Sequence, residues 1–427
     1  MTMFLFGAAL WSAVAPNQGK LTLDQAIQIA TENSFSVKIS DSNVAKTRER
    51  INEVRSAAGP KLNLQGTYTR FDKATTANFG GNNVTISPID SKQAVLSLSY
   101  PLDIFGVIGK TISAARNAET AQSYNREAVK SDLKLSVRSA YFSVLQADAQ
   151  VEVAKEALTR AQDQLKNTRL EFEQGAKAKV DVLRFETQYA QAQADLIAAQ
   201  NGLQLAKSAF NNTLGRPIET EFDLEKVDQS EEPAFSPDGL VETSLSNRPE
   251  IKALQHQIRA LGEAKRAAEG GLKPSLAISA NHTRNLDAQG LSARDYSTTG
   301  TLALSIPLFD SGLTRARVGQ AREDETQARI QLEQVKLGIS LEVRQAVTNL
   351  MNAKARIAVA ENQVKFAQES YDIAVLRDKV GEGIALQVVD AQTELTRARN
   401  GLISARYDYL KAYAALQRAV GTDRFTK

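Results

Sequence analysis

The residues that most often carry catalysis or bind metals are few in this sequence and far apart. Cysteine is absent, and the two histidines, His256 and His282, have no partner at the spacing of metal ligands. No nucleophile-elbow motif occurs, and the pair Gly80-Gly81 suits a loop tip, because a phosphate-binding loop would have to open a helix. We therefore predict no enzymatic activity, no metal site and no cofactor, and we expect His282 to be an ordinary strand residue.

Charged side chains follow two glycines that suit helix-ending turns. Gly175 precedes Asp181 and Arg184, and Gly381 precedes Asp390. An acid in the first turn of a helix, such as Asp181, is stabilised by the helix dipole. Asp390 lies further into its helix, so the dipole explains it less well. A functional position and a solvated helix face are both open for Asp390.

The overall charge of the chain excludes one class of partner. Its 427 residues include 52 basic and 49 acidic side chains, and 42% of its residues are apolar. This is the balance of a folded protein rather than a disordered one. Since the charges nearly cancel and no dense basic run occurs, we predict no binding to nucleic acid.

The N-terminus resembles an export signal. An apolar stretch over residues 3–14 ends at Ala13-Val14-Ala15, a small-x-small pattern typical of a cleavage site, although the usual basic residues before it are missing. We interpret residues 1–20 as a shortened signal peptide; a disordered N-terminus is the alternative. No later apolar run has the length of a membrane helix, so membrane contact would have to use strands or an amphipathic surface.

The chain is a tandem repeat. Residues 33–38 match residues 247–252 at an offset of 247 − 33 = 214, and residues 96–102 match residues 302–308 at an offset of 302 − 96 = 206. The first repeat therefore has 214 − 206 = 8 extra residues, placed between Arg70 and Leu96 in a longer hairpin loop. We predict one intertwined domain, with repeats at 21–217 and 238–422, a linker at 218–237 and a tail at 423–427.

Both repeats have the same order of elements: helix, strand, loop, strand, long helix, tight turn, helix. The first helix is expected at Leu23 to Ala58 and its twin at Asp238 to Gly270, each ended by glycine and proline. The strands alternate apolar and small polar residues with a period of two. The long helix, about Val107 to Gln174, has a heptad seam typical of a coiled coil and would be on the order of 100 Å long.

These strands predict a barrel shared between chains. Two hairpins supply four strands with one apolar and one polar face, whereas a membrane barrel needs about eight or more strands. Open edges are not tolerated in lipid. Three chains would contribute twelve strands, with the apolar faces against lipid and the polar faces lining a wet lumen.

The arrangement resembles the TolC-type outer-membrane efflux family. The motifs that carry the resemblance are L-S-L-S-Y-P-L-D at Leu96 to Asp103, L-A-L-S-I-P-L-F-D-S-G at Leu302 to Gly312, and the turn-then-helix segments at residues 174–187 and 380–393. The resemblance implies a mainly α-helical homotrimer with a twelve-stranded membrane β-barrel continued by a coiled-coil α-barrel into the periplasm. It also implies an outer-membrane exit duct for small molecules or proteins, working with a periplasmic adaptor protein and an inner-membrane pump in efflux or type I secretion. The transported substrate is left open.

The resemblance also implies two functional regions. The turns at Gly175, Ala176, Gly381 and Glu382 would be the tips that dock on the adaptor. The family often carries an acidic pair, D-V-L-D, at the tunnel constriction, and the matching run here keeps one acid, Asp390, and has Gln387 in place of the other. Three copies of Asp390 would form an anionic ring. We place Asp181 and Arg184 in the same candidate gate, and we hypothesise that Arg184 contacts an acid in the closed state.

One alternative comes from another class of protein. A structural coiled-coil protein of the cell envelope, with no transport role, would also have long heptad seams. It would not need two strand hairpins bounded by prolines.

Overall fold

A computed structural model describes residues 20–227, 237–286 and 294–422. The signal-peptide-like segment apart from Lys20, part of the linker and the C-terminal tail lie outside the described residues. Across the described ranges, none of the helices combines the length and hydropathy that a bilayer crossing requires.

Each half of the chain folds in the order that the sequence predicts, with extra breaks and strands. The first half comprises α1 (Leu23–Asn33), α2 (Phe35–Ser56), β1 (Lys61–Arg70), β2 (Thr75–Phe79), β3 (Asn82–Ser87), β4 (Asp90–Leu102), α3 (Val107–Glu173) and α4 (Lys179–Thr213). The second half comprises α5 (Pro237–Asn247), α6 (Pro249–Ala268), a 3₁₀ turn (Glu269–Leu272), β5 (Ser275–Asn285), β6 (Tyr296–Ser305), α7 (Leu313–Lys379) and α8 (Ala385–Val420).

The prediction of one continuous helix at the start of each repeat is wrong. The first helix breaks at Ser34, whose ψ of 129° is extended and whose carbonyl accepts a hydrogen bond from the Lys38 N–H at 3.1 Å. Ser34 thereby begins α2, the role that serine favours at a helix N-cap. The second helix breaks at Arg248, because the residue before a proline, here Pro249, is disfavoured in the helical region.

The helix break at Arg248 also allows this residue to form hydrogen bonds to another helix. Arg248 is buried, and its guanidinium donates hydrogen bonds to the carbonyl oxygens of Arg418 and Ala419 at 3.2 and 3.0 Å. These carbonyls lie in the last turn of α8, where helical N–H donors run out; the Arg418 carbonyl also accepts from the Gly421 N–H at 3.1 Å. Arg248 therefore caps α8 and ties it to the end of α5.

The chain forms two compact units, and each contains segments from both repeats. Within the described residues, one consists of residues 20–39, 127–227, 237–248 and 337–422, and the other of residues 40–126, 249–286 and 294–336. We call the first the helical unit and the second the sheet unit. In the helical unit the predicted seam of α3 is buried, with Val137 and Tyr141 fully inaccessible, and Val343 occupies the corresponding position in α7.

The sheet unit holds one antiparallel sheet in the order β1-β4-β5-β6. β4, from the first repeat, pairs with β5, from the second, with Leu98 opposite Ala280, so the two hairpins join into one sheet. A separate hairpin, β2–β3, occupies the loop between β1 and β4. The longer loop is where the sequence predicts it, but its two strands, which turn at Gly80 and Gly81 with φ of 61° and 94°, are not predicted.

Candidate functional site

The four-stranded sheet exposes a continuous apolar face. Strand register places apolar residues side by side, with Leu62 opposite Leu98 on β4 and Ile278 opposite Leu302 on β6. These side chains are well exposed; Leu62 is 65% and Leu302 is 66% accessible. The apolar residues of this face include Leu62, Leu64, Leu96, Leu98, Tyr100, Leu102, Leu276, Ile278, Ala280, Leu302 and Leu304. A face of this kind marks contact with a membrane or a partner.

The opposite face is mainly polar. Asn63 lies opposite Ser97, and Ser97 lies opposite Asn281, which lies opposite Thr299. Alternation thus concentrates apolar residues on one face and polar residues on the other over most of the sheet, as the period of two predicts. β1 and β6 are the edges of this sheet, so each has one side without a partner strand in the described chain.

The two turns between long helices lie in the helical unit. Gly175 and Gly381 have φ of 77° and 78°, the left-handed conformation that the sequence predicts for both. Behind the turns, one apolar cluster joins four helices: Leu165 of α3, Val182 and Phe185 of α4, and Ala385 and Val388 of α8, with Tyr371 of α7 against it. Both turns are therefore held on a common core.

A buried ion pair links the two turns. The ammonium of Lys177, in the first turn, donates to Asp378 Oδ1 at 2.6 Å, and the Gln164 side-chain amide lies 3.4 Å from Oδ2. The Lys177 and Asp378 side chains are only 13% and 2% exposed. A buried pair with good geometry fixes the relative position of the groups that carry it, here the α3–α4 turn and the last turn of α7.

The second turn is also closely packed against this aspartate. A Cβ placed on Gly383 would lie 2.8 Å from the backbone nitrogen of Asp378, closer than real contacts allow. The Gly383 N–H also donates to the Arg377 carbonyl at 2.9 Å. Glycine is therefore required at position 383 by contact, whereas Gly381 is required by conformation.

Among the described residues of one protomer, no hydrogen bond or ion pair joins the predicted gate residues to one another. Arg184, Gln387 and Asp390 are exposed, and Asp181 is half-buried at the start of α4. Among the described residues of one chain, Arg184 has no ion pair with an acid. Sequence reasoning also missed Lys177, Asp378 and Gly383. The lysine next to Ala176 in the first turn was a visible signal, but nothing in the sequence identifies its partner.

The distribution of apolar and polar residues over this fold is that of a protein which meets lipid with strands and packs its helices as coiled coils. The profile of the family described as outer membrane efflux protein matches residues 26–216 and 240–422. The chain belongs to the outer membrane efflux protein family. The match comes in two blocks, one for each predicted repeat.

Individual relatives agree with this assignment. The chain is 26% identical over 390 residues to the outer membrane protein TolC of Escherichia coli (strain K12), which covers 88% of this chain and 77% of TolC. It is 25% identical over 311 residues to the outer membrane efflux protein BepC of Brucella suis, with 73% and 68% covered. Solved structures are similar in fold: CusC has a TM-score of 0.80 at 21% identity over 94% of this chain and 92% of CusC. The open state of the MtrE outer membrane channel of Neisseria gonorrhoeae has a TM-score of 0.76 at 21% identity, over 94% and 89%.

Membership of the outer membrane efflux protein family confirms several predictions from sequence. The resemblance to TolC-type proteins, the mainly helical two-repeat fold with membrane strands, the outer-membrane location and the efflux function are all correct. The relatives are efflux proteins and channels rather than enzymes. A purely structural coiled-coil protein is not supported.

Proposed function

We propose that three copies of this chain form a continuous exit duct, with a shared barrel of twelve strands in the outer membrane and a helical tunnel on the periplasmic side. The observation that supports it is the open sheet with one exposed apolar face and one polar face. A single open sheet in lipid would leave the edges β1 and β6 with unpaired backbone groups, which costs several kcal/mol per group. Pairing of the edge strands between neighbouring copies removes that cost.

The strand directions and lengths suit such closure. In a sheet of four antiparallel strands, β1 and β6 run in opposite directions. β6 of one copy can therefore pair antiparallel with β1 of the next copy. The same pairing can repeat around a ring. The strands have 10, 13, 11 and 10 residues. A tilted membrane strand needs about 9–11 residues.

The helical turns are the proposed docking and gating end. We assign contact with a periplasmic adaptor, and through it an inner-membrane pump, to Gly175, Ala176, Gly381 and Glu382. We assign the gate to Asp390 and Gln387, with Asp181 and Arg184 beside them. The exposure of Asp390 in one protomer is compatible with a ring in which three carboxylates face one another. In this proposal the protein transports cargo without chemical conversion, and the pump selects the cargo.

The first test is the mass of the protein extracted from the outer membrane by detergent, measured by light scattering corrected for bound detergent. We expect a trimer of about three times the 46.5 kDa chain, together with large, stable conductance steps in planar bilayers. A monomer that stays in solution without detergent and forms no channels would refute the proposal.

A further inference from the structure

The apolar face of the sheet ends in cations at one end only. On β5, Arg284 lies opposite Ala94 of β4. Lys92 lies two residues from Ala94 on the same face of β4, and it lies opposite Tyr68 of β1. The next position pairs Arg70 with Asp90. We call Arg70, Lys92 and Arg284, together with the aromatic residues Tyr68, His282 and Tyr296 on the same face, the cationic rim. At the other end of this face, the last two rows are Tyr100, Ile278 and Leu302, then Leu102, Leu276 and Leu304, with no charge.

The cations of the rim are exposed, and one of them, Arg70, lies beside an acid. Asp90 is the one acid on this face of the sheet among the described strand residues, and it accepts a hydrogen bond from the Tyr68 hydroxyl at 2.7 Å and lies 3.7 Å from Arg70. Arg284 has no acidic partner in the described chain and is exposed. Tyr68 and Tyr296 are 58% and 67% accessible. Exposed tyrosines beside arginine and lysine are typical of the boundary between lipid tails and headgroups.

The topology decides which boundary this is. The rim lies where β1 and β4, and β5 and β6, are joined by their hairpin loops, whereas the helices attach at the opposite ends of the strands. In the duct proposed above, on which this inference rests, the helices are periplasmic, so the rim faces the headgroups of the outer leaflet. Guanidinium and ammonium groups held close together on one surface suit phosphate.

We infer that the cationic rim binds the phosphate groups of anionic lipid headgroups in the outer leaflet. The lipid tails would cover the apolar rows beside it, while Arg70, Lys92 and Arg284 hold the headgroup phosphate. A free phosphate ion would meet the same cations but would gain nothing from the apolar rows. The site therefore prefers phosphate carried on a lipid.

The test compares the wild-type trimer with the triple variant Arg70→Gln, Lys92→Gln, Arg284→Gln. Each protein is placed in phosphatidylethanolamine nanodiscs and titrated with bis-phosphorylated lipid A, with dephosphorylated lipid A and with inorganic phosphate, and bound lipid is counted by native mass spectrometry. Because one cation near a charged membrane surface changes affinity by about fivefold, we expect the triple variant to lose at least about tenfold in affinity for phosphorylated lipid A. The control Lys61→Gln, an exposed lysine on the polar face at the other end of β1, is expected to retain wild-type affinity.

Three outcomes overturn the inference: equal binding of the triple variant, equal binding of dephosphorylated lipid A, or displacement of the lipid by inorganic phosphate at equal concentration. Both variants are also checked for trimer mass and conductance. A wild-type protein that forms no trimer overturns the duct itself, whereas a normal trimer without lipid preference overturns only the cationic rim.

Discussion

Asp378 shows how single residues hold the two helical turns together. Its carboxylate is almost inaccessible and is compensated by the Lys177 ammonium and the Gln164 amide. We expect Asp378→Leu to destabilise this region by about 3 kcal/mol, because removal of one partner leaves the other charge buried. The double variant Lys177→Met, Asp378→Leu is expected to cost clearly less than the two single changes added together.

Hydrogen exchange of the backbone amides around residues 164–182 measures this effect locally. A matched control is Glu152→Gln, which breaks the exposed pair with Lys155 and should leave exchange unchanged. If the two single changes simply add, Lys177 and Asp378 do not act as a pair.

Tyr141 gives a pH-dependent prediction in the helical unit. Its hydroxyl lies 2.6 Å from the Glu225 carbonyl oxygen and 3.0 Å from that of Leu21, which fastens the segment before α1 to the segment after α4. Burial, aided by the Glu225 charge, raises the pKa of Tyr141 to about 12. An unfolded tyrosine has a pKa of about 10. Since the folded state holds the proton more tightly, the stabilising contribution is complete below pH 10 and is lost as the pH rises towards 12.

We expect Tyr141→Phe to lower stability by about 1 kcal/mol at neutral pH, through the lost hydrogen bonds. Between pH 9 and pH 11 the wild type should lose about 1 kcal/mol more than the variant, because only the wild type ionises at this position. Denaturant midpoints of the two proteins at each pH measure the difference. Parallel pH profiles would show that Tyr141 does not contribute to the alkaline loss.

Among the structural elements, the turn between α7 and α8 contains two glycines, Gly381 and Gly383, that are required for different physical reasons. Gly381 has φ of 78° and open space where a Cβ would be, so Gly381→Ala should cost only the left-handed penalty of about 1 kcal/mol. Gly175→Ala, with φ of 77° in the first repeat, is the matched control and should cost the same. Gly383→Ala should cost more, because its Cβ would push against the backbone of Asp378. Thermal denaturation ranks the three, and an equal effect at 381 and 383 would contradict the packing argument.

The strands and long helices could be predicted because their patterns are local and occur twice. Alternation around Leu62 and Leu302 and the seam through Val137 each follow from a period in the sequence. The helix break at Ser34 could not be predicted in this way, because serine is tolerated within helices and only packing decides its conformation. The Lys177–Asp378 ion pair could not be predicted either. Its two residues are 201 positions apart, and the sequence contains many other charged residues that could have been the partner of each.

At the scale of the molecule, the tandem repeat places equivalent residues in equivalent contacts. Gly215 ends the first half with φ of 69°, and a Cβ there would lie 2.8 Å from the Asn33 carbonyl oxygen. Gly421, its counterpart, has φ of 74° and would place a Cβ 3.4 Å from Asn247. Each repeat thus brings its last helix back to the break in its first helix. The repeats differ in the turn region, where the first carries Arg184 and the second Asp390, so the functional differences are expected there.

The proposed ring of Asp390 predicts the ion selectivity of the assembled trimer. Three carboxylates around a narrow axis favour cations, so Asp390→Asn should lower the cation-to-anion permeability ratio by roughly twofold or more at low salt, where screening is weak. Gln387→Glu adds three acids one helical turn away and should raise the ratio. The control Glu152→Gln removes an exposed acid of α3 that pairs with Lys155, and it should leave the ratio unchanged. Reversal potentials in planar bilayers under a salt gradient measure all three. An unchanged ratio in Asp390→Asn at low salt would place Asp390 on a solvated helix face and remove it from the gate.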